Sequence, residues 1–377
     1  MTGLATRTSA TARTFATAEA RWAGVGPYYA MFPAHFADTT IKAYTEDGDT
    51  VLDPFAGRGT SLYSAAVSGR HGLGIEINPV GWVYAATKLA PAQHGRAASR
   101  VEEIGQLAAR FRDTARSMPA FYRHCFCLEA LSFLLAARKH LDWKDSAVDR
   151  TVMAILLVDL HGKRGFALSN QMRQTKCMAP DYAVRWWQEH KLRPLPLDPV
   201  AFLLKKLAWR YARGIPDLHE SRVYLGDSTH RIAGLRVTAD RLAPRGAQLL
   251  LTSPPYLGIT NYHYDQWLRL WMLGGSPLPK SFGNKHRGKF ENTAQYRELL
   301  LSAFTRARDL LARKATIYVR TDSRERTAQV TRQVLQHVFP KHKLARRLRP
   351  LKGKTQTRLF GNGIASQAEV DFVLHSL

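Results

Sequence analysis

The stretch "GDTVLDPFAGRGTSLYSAAVSGRHGLGIEINP", residues 48–79, decides the fold of this chain. It begins with a short apolar strand, residues 48–55, which leads into a glycine-rich loop. A helical segment follows and ends at Gly69, and a second strand then covers residues 73–77. This order of strand, loop, helix and strand predicts one unit of a mostly parallel, doubly wound α/β sheet.

Four later segments also have the apolar pattern of strands, and most are separated by helical patterns. They are 221–227, 247–253, 315–322 and 369–376. Between 96 and 219 the pattern is helix after helix, with apolar residues spaced three and four apart. The sequence therefore predicts a flexible leader (1–24), a first α/β part (25–95), a helical insertion (96–219) and a second α/β part (220–377).

The charge of the chain points to a polyanionic partner. Its 55 Lys and Arg residues face 30 acids, a formal charge of +25, which favours nucleic acid. No apolar run approaches the roughly 20 residues of a membrane span, and no secretory signal is visible, so we expect a cytoplasmic protein. The three cysteines and "HCFC" (124–127) lack the paired spacing of a zinc site, so we expect no metal.

The glycine-rich loop predicts a nucleoside ligand. Gly57 and Gly59 lie where a strand turns into a helix, and glycine there lets backbone N–H groups approach a ligand. Glu76 ends the next strand, where a carboxylate can accept hydrogen bonds from ribose hydroxyls. There is no Gly-Lys-Ser/Thr and no third glycine at the dinucleotide spacing. The pattern therefore favours an adenosine ligand without a pyrophosphate.

Together, "DPFAGRGT" (53–60) and "TSPPY" (252–256) resemble the signature of the amino-group DNA methyltransferases, which use S-adenosylmethionine to methylate cytosine N4 or adenine N6. The resemblance covers about 25–95 and 220–377 and implies a Rossmann-like class I methyltransferase fold in a bacterial, nucleoid-associated enzyme. It makes 25–95 the cofactor-binding part and 220–377 the target-base part of a catalytic domain, and the size and charge of the helical insertion (96–219) favour target recognition. The cofactor-binding residues it implies are Phe32, Pro33, Asp53, Pro54, Phe55, Gly57, Gly59, Thr60, Glu76 and Asp227.

The same resemblance assigns catalysis to Ser253, Pro254, Pro255 and Tyr256. An exocyclic amine is a poor nucleophile because its lone pair is delocalised into the ring. The Ser253 hydroxyl and the Pro254 carbonyl can accept its two N–H groups and direct the lone pair toward the methyl group. Tyr256 can stack on the flipped base. In isolation, two prolines would merely end a strand.

The first letter of the catalytic block bears on the substrate. Ser is usual in family members acting on cytosine N4, whereas Asp or Asn is usual for adenine N6, so Ser253 favours N4-methylcytosine. Adenine N6, an RNA base and a catalytically silent DNA-binding subunit remain alternatives. Cytosine C5 methylation is disfavoured because it needs a thiolate nucleophile, and none of the three cysteines has that context. The resemblance implies double-stranded DNA as partner and is compatible with a separate restriction endonuclease, as in restriction-modification systems.

Three basic segments are candidates for contact with DNA. Residues 161–187 mix cations with amides, which read guanine and adenine edges, whereas 274–290 and 341–358 contain cations and no acid. The alternative is that the insertion only buttresses the sheet and that the charged runs are solvated faces. The predicted DNA-binding residues are Lys163, Arg164, Asn170, Gln171, Arg173, Gln174, Lys176, Lys285, Arg287, Arg346 and Arg347.

Overall fold

The computed structural model describes residues 15–27, 33–257, 262–279, 292–350 and 368–377. Within these residues the chain forms two compact units. The helical unit takes 15–27, 90–217 and 263–279, and the α/β unit takes the remainder.

Helices contribute to both units. In chain order they are α1 Ala18–Ala23, α2 Ala34–Tyr44, α3 Thr60–Val67, α4 Pro79–Leu89, α5 His94–Ala108, α6 Arg112–Ser117, α7 Ala120–Cys125, α8 Leu128–His140, α9 Ala147–Asp159, α10 Pro180–Glu189, α11 Pro199–Tyr211, α12 Ser228–Arg231, α13 Arg236–Leu242, α14 Tyr262–Asp265, α15 Trp267–Met272, α16 Thr293–Arg308 and α17 Glu325–Val338.

In its described residues, the α/β unit is built on a seven-stranded sheet. Its strands are β1 Thr50–Asp53, β2 His71–Glu76, β3 Arg222–Leu225, β4 Ala247–Thr252, β5 Leu311–Asp322, β6 His342–Pro350 and β7 Ala368–Ser376. Their order is β3-β2-β1-β4-β5-β7-β6, and β1 to β5 are parallel. Strand β7 is antiparallel to both β5 and β6. This is the arrangement of the Rossmann-like class I methyltransferase fold, and the predicted fold class is confirmed.

Both faces of the central strands are covered, as a doubly wound sheet requires. Leu52 and Leu250 belong to a core cluster that includes residues of α16 and α17. Their neighbours Val51, Leu249 and Leu251 belong to a second cluster, which includes residues of α2 and α3. Because successive side chains of a strand point to opposite faces, this alternation places one apolar layer on each side of the sheet.

The basic run at 341–358 contains an unpredicted strand. Residues 342–350 form β6 at one edge of the sheet, paired with β7. The run lacks the apolar alternation of a strand because most of its side chains are exposed. Its second part, 351–358, lies outside the described residues.

The helical unit does not follow the predicted insertion boundaries. Besides 15–27 it takes 90–217, where the prediction was 96–219, and the chain returns to it at 263, after the TSPPY loop. Trp267 and Trp271 explain the return, because both pack against Tyr122 in an aromatic cluster that also contains Phe121. Tyr122 Oη also donates a hydrogen bond to Pro277 O at 2.7 Å.

The prediction of a flexible leader up to residue 24 is wrong for its last ten residues. Helix α1 is capped by Thr17, whose hydroxyl accepts from Ala20 N at 3.2 Å. Trp22 is 0% exposed, and its Nε1 donates to Gly214 O at 3.2 Å. Its ring meets that of Tyr211 edge-on at 5.0 Å. This burial fastens the segment to α11, and residues 1–14 lie outside the described part of the chain.

The described residues provide neither a membrane span nor a metal centre. No helix among them is long and apolar enough to cross a membrane. No group of three or more of their His, Cys, Asp or Glu side chains is arranged to hold a metal ion.

We expect Trp22→Ala to lower the free energy of unfolding by about 3–5 kcal/mol, because it opens a cavity at a fully buried aromatic side chain. Urea denaturation monitored by circular dichroism measures the effect. Lys205→Ala changes an exposed residue of α11 and serves as the control. A Trp22→Ala variant as stable as this control would contradict the packed position of α1.

Candidate active site

The two motif loops leave the sheet side by side. Strands β1 and β4 are parallel neighbours, with Leu52 opposite Leu250, so both loops start at the same edge. Thr252 Oγ1 donates a hydrogen bond to Asp53 Oδ1 at 2.6 Å, although the two residues are 199 positions apart in sequence. The structure therefore brings the DPFAGRGT and TSPPY blocks together at the carboxyl ends of the strands, where open α/β sheets bind their ligands.

Asp53 is buried and fastens the first loop. Its carboxylate accepts hydrogen bonds from Thr252, from the Ser61 hydroxyl and from Phe55 N at 3.0 Å. Burial raises the pKa of Asp53 to about 6, although these hydrogen bonds lower it. The site thus contains a carboxylate whose negative charge is poorly solvated.

The glycine loop has the backbone that its sequence predicts. Gly57 and Gly59 have φ of 55° and 72°, in the left-handed region that favours glycine. Gly59 N donates to Ala56 O at 2.7 Å, which closes the turn before α3. A Cβ on Gly59 would lie 2.7 Å from Ala85 Cβ, so α4 leaves no space for a side chain there.

Glu76 is held by this loop. Its Oε2 accepts from Gly57 N at 2.6 Å and its Oε1 accepts from Asn78 N at 2.7 Å. Both bonds come from backbone groups, so the orientation of the carboxylate is fixed before any ribose is bound.

Asp227 lies at the end of the neighbouring strand. Leu225 is opposite Glu76 in the pairing of β3 with β2, and Gly226 N donates to Glu76 O at 3.0 Å. Asp227 Oδ1 accepts from Thr229 N at 3.0 Å and from Thr229 Oγ1 at 2.7 Å. The two acids predicted to bind the adenosine thus end adjacent strands.

The other residues predicted to bind the cofactor differ in how far they are buried. Pro54 is buried, Thr60 is buried at the start of α3, and the half-buried Phe55 ring meets Phe304 edge-on at 6.3 Å. Pro33 is exposed and precedes α2, and Phe32 lies outside the described residues. Binding of the methionine part of S-adenosylmethionine by these residues therefore stays a prediction.

Arg58 was missed because it occupies a variable position of the motif. Its Nε lies 3.4 Å from Thr60 Oγ1, and burial lowers its pKa to about 10. The glycine loop therefore contains a half-buried cation.

The catalytic block differs from its prediction at Tyr256. The Ser253 hydroxyl donates to Tyr256 Oη at 3.3 Å, and Ser253 is half-buried. Tyr256 is only 6% exposed, and burial raises the pKa of its hydroxyl. In this structure Tyr256 orients Ser253 and does not offer an open face for stacking on a base.

Arg324 holds the end of the TSPPY loop, a contact that was not predicted and is called the Arg324 clamp below. Arg324 Nη2 donates to Leu257 O at 2.5 Å and to Asp322 Oδ2 at 2.7 Å. Asp322 is fully buried at the end of β5, next to β4 in the sheet. The charged letters of "TDSR" (321–324) are a weak signal for such a clamp, because charges after a strand are usually solvated.

A second cluster of buried charges joins β5 to β7. Arg320 donates from Nε and Nη2 to the two carboxylate oxygens of Asp371, at 2.7 and 2.9 Å. Tyr318 Oη donates to Asp371 at 2.6 Å, and Glu369 lies 3.3 Å from Arg320. The Arg320 guanidinium also lies 3.4 Å from the centre of the Phe36 ring on α2. Opposite charges facing each other on paired strands could have revealed this cluster, had the pairing been known.

The amides predicted to read bases form hydrogen bonds within the helical unit, although Gln174 is exposed. Asn170 is 0% exposed, and its amide nitrogen donates to His124 O and Leu192 O, both at 3.1 Å. Gln171 Oε1 accepts from Arg164 N at 3.1 Å, and Gln174 Nε2 donates to Val158 O at 3.2 Å. The DNA-reading role predicted for Asn170 is therefore wrong for this structure, because its donors are satisfied in the interior.

The predicted cations divide into three groups. Lys163, Arg173, Arg346 and Arg347 are exposed, and Arg164 is half-buried. Lys176 forms an ion pair with Asp265 at 2.8 Å. Lys285 and Arg287 lie outside the described residues.

Comparisons with known proteins find similarity to DNA methyltransferases over part of the chain. A family model described as DNA methylase (N6_N4_Mtase) matches residues 8–82. The Type II methyltransferase M.MjaII of Methanocaldococcus jannaschii is 33% identical over 66 residues, 18% of this chain and 12% of that protein. M.MthZI of Methanothermobacter thermautotrophicus is 43% identical over 49 residues, 13% and 14% of the two chains. M.XycI of Xanthomonas campestris pv. cyanopsidis is 41% identical over 64 residues, 17% and 21%.

These matches confirm the resemblance to the amino-group DNA methyltransferases, and the part matched by the family model contains DPFAGRGT. The chain covers only 12–21% of the length of these relatives. Among solved structures, the rRNA methyltransferase aviRa from Streptomyces viridochromogenes is 15% identical, with 93% of this chain and 90% of that chain covered, at a TM-score of 0.33. The fold assignment rests on the strand order and not on this overlay.

Substitution of Gly59 separates a steric effect from a backbone effect. Gly48→Ala introduces a Cβ at φ 82° with no atom within 4 Å, whereas Gly59→Ala adds the clash with Ala85 at φ 72°. We expect Gly48→Ala to cost about 1–2 kcal/mol of stability through its left-handed backbone. Gly59→Ala should cost more and should also weaken binding of S-adenosylmethionine, measured by urea denaturation and calorimetry. Equal effects of the two variants on both measurements would contradict this geometry.

Asp53→Asn should change the pH dependence of stability. Burial raises the pKa of Asp53 from 3.8 to about 6, so between these values the folded state retains a proton that the unfolded state has released. The contribution of Asp53 to stability therefore falls as pH rises through this window, by at most about 1.4 kcal/mol per pH unit. We expect the free energy of unfolding of the variant, relative to the unsubstituted protein, to rise between about pH 4 and 6 and then level off. Urea titrations across the window measure this difference, and a flat difference would contradict the raised pKa.

Proposed function

We propose that this protein is a DNA methyltransferase that transfers a methyl group from S-adenosylmethionine to the exocyclic amine of a flipped base. The base we favour is cytosine, with N4 as the methylated atom. The observation that carries this proposal is the hydrogen bond between Thr252 and Asp53, which joins the two motif loops at one edge of the sheet. A cofactor loop and an amine-binding loop must lie this close for direct transfer between their ligands.

The residues of the first loop fit S-adenosylmethionine. Glu76 and Asp227 end adjacent strands and can accept hydrogen bonds from the adenosine part. The buried carboxylate of Asp53 has a raised pKa, so it gains from a nearby positive charge, and the methionine part of the cofactor carries an ammonium group. When bound, the cofactor supplies an electrophilic methyl group on a sulfonium.

The second loop is suited to hold an amine. Ser253 directs its own proton to Tyr256, so its oxygen can accept an N–H group of the base. The Pro254 carbonyl can accept the other N–H group, and proline contributes no competing donor in this loop. The clamp of Arg324 on Leu257 O restrains the loop immediately after the motif. Preorganised acceptors of this kind favour the localised lone pair only as transfer begins.

The preference for cytosine N4 rests on Ser253 at the first position of the block, and the DNA substrate rests on the resemblance and on the charge of +25. We extend the same proposal to restriction-modification, with a separate endonuclease as partner, by analogy with the Type II methyltransferases that match.

The decisive experiment identifies the methylated base. The full chain is incubated with unmethylated DNA and labelled S-adenosylmethionine, and the DNA is digested to nucleosides for mass spectrometry. We expect N4-methylcytosine. N6-methyladenine would overturn the choice of base, and label that appears only in RNA would overturn the choice of DNA. No transfer to either polymer, with no heat on titration of the cofactor, would overturn the enzyme.

Ser253→Ala tests the amine-binding loop. We expect kcat to fall by about 100-fold or more, as when a preorganised hydrogen-bonding group is removed from an active site, while calorimetry shows unchanged cofactor affinity. Ser68→Ala removes a hydroxyl at the C-terminal end of α3, whereas the glycine loop precedes the N-terminal end, and it is the matched control. Full activity of Ser253→Ala would remove the proposed role of this residue.

A further inference from the structure

A basic turn in the helical unit presents an exposed aromatic ring. Phe166 N donates to Lys163 O at 2.9 Å, and Gly165, at the third position of this turn, has a φ of 82°. A type II turn has this combination, with glycine where φ is positive. Phe166 is 66% exposed, more than any other large aromatic side chain in the described residues.

Hydrogen bonds of its backbone and of the Arg164 side chain hold this turn in place. Lys206 Nζ donates to Phe166 O at 3.1 Å, and Arg164 Nε donates to Arg193 O at 2.9 Å. Gln171 Oε1 accepts from Arg164 N, so one of the amides first expected to read DNA instead supports the turn. Because the turn is already ordered, binding through it costs little additional conformational entropy.

The surroundings of the ring are positive. Lys163 Nζ lies 5.1 Å from the centre of the Phe166 ring, and Arg173 is exposed on the same loop. The carboxylate of Asp159, which precedes the turn, is paired with Lys206 at 2.8 Å. A partner for this surface therefore needs negative charge and a flat apolar face. Nucleic acid offers both, in its phosphates and its bases.

We propose that the turn Lys163–Phe166 binds duplex DNA, with the Phe166 ring inserted between bases and Lys163 and Arg164 in contact with phosphates. The inference rests on the proposed function only for the choice of duplex DNA as the nucleic acid. Apolar side chains that enter the base stack kink and partly unstack a duplex, and such a contact is independent of which bases are read elsewhere.

Affinity and its salt dependence separate the two contacts. Binding to a fluorescent duplex of random sequence is measured by anisotropy over a range of salt concentrations. We expect Phe166→Ala to weaken binding about tenfold without changing the slope of log K against log salt, because an aromatic ring neutralises no phosphate. The double variant Lys163→Ala/Arg164→Ala should reduce that slope by about 1–2. Phe166→Trp should retain the affinity.

Unwinding of a closed circular plasmid reports insertion directly. With topoisomerase present, the full chain should change the linking number of the plasmid, and Phe166→Ala should not. Tyr182→Ala removes another exposed aromatic side chain of the helical unit, 53% exposed on α10, and is the matched control. We expect this control to bind and unwind DNA as the unsubstituted chain does.

The outcomes distinguish this inference from the proposed function. If DNA binding and unwinding depend on Phe166 but the protein methylates no DNA, DNA binding by the turn is supported and the proposed activity is overturned. If the protein methylates DNA and Phe166→Ala changes neither DNA affinity nor unwinding, only the proposed DNA binding by the turn is overturned. Loss of binding to anionic lipid vesicles in Phe166→Ala, with DNA binding intact, would also overturn it and assign the ring to a membrane surface.

Discussion

The hydrogen bond from Thr252 to Asp53 is the contact on which the candidate site depends. It links the ends of β1 and β4 at a point where neither strand continues. The same carboxylate receives the Ser61 hydroxyl at the start of α3 and the backbone of Phe55. One buried acid therefore sets the position of a strand, a loop and a helix. The pKa of Asp53 is raised because burial disfavours the charged carboxylate, although these hydrogen bonds lower the pKa.

A second group of buried charges lies next to the TSPPY loop and between the neighbouring strands. Arg324 connects Asp322 with the carbonyl of Leu257, and the pair of Arg320 and Asp371 holds β5 against β7. At the carboxyl ends of the strands, polar contacts made by the described strands and loops themselves fix the positions of Asp53 and of the loop after Thr252.

The sequence predicted those parts of the molecule that have a local cause. The apolar strands β1, β2, β4 and β7 and the glycine loop between β1 and α3 follow from short patterns and were predicted close to their observed positions. Asn170 could not be assigned from the sequence, because an amide can contact a base or form hydrogen bonds in the interior. Only the tertiary structure decides between the two. Trp22 was missed for a related reason, since two isolated aromatic residues, Phe15 and Trp22, in an Ala- and Thr-rich segment give no periodic signal. Strand β6 exists because β7 pairs with it and not because its own residues favour a strand.

The position of β6 has a consequence for the behaviour of the protein in solution. An edge strand exposes unpaired backbone groups that can nucleate pairing with another chain. In this protein the edge is lined by exposed cations, among them Lys343, Arg346 and Arg347. In the described part of the chain β6 pairs only with β7, and we expect like charges on two copies of this edge to disfavour pairing between them.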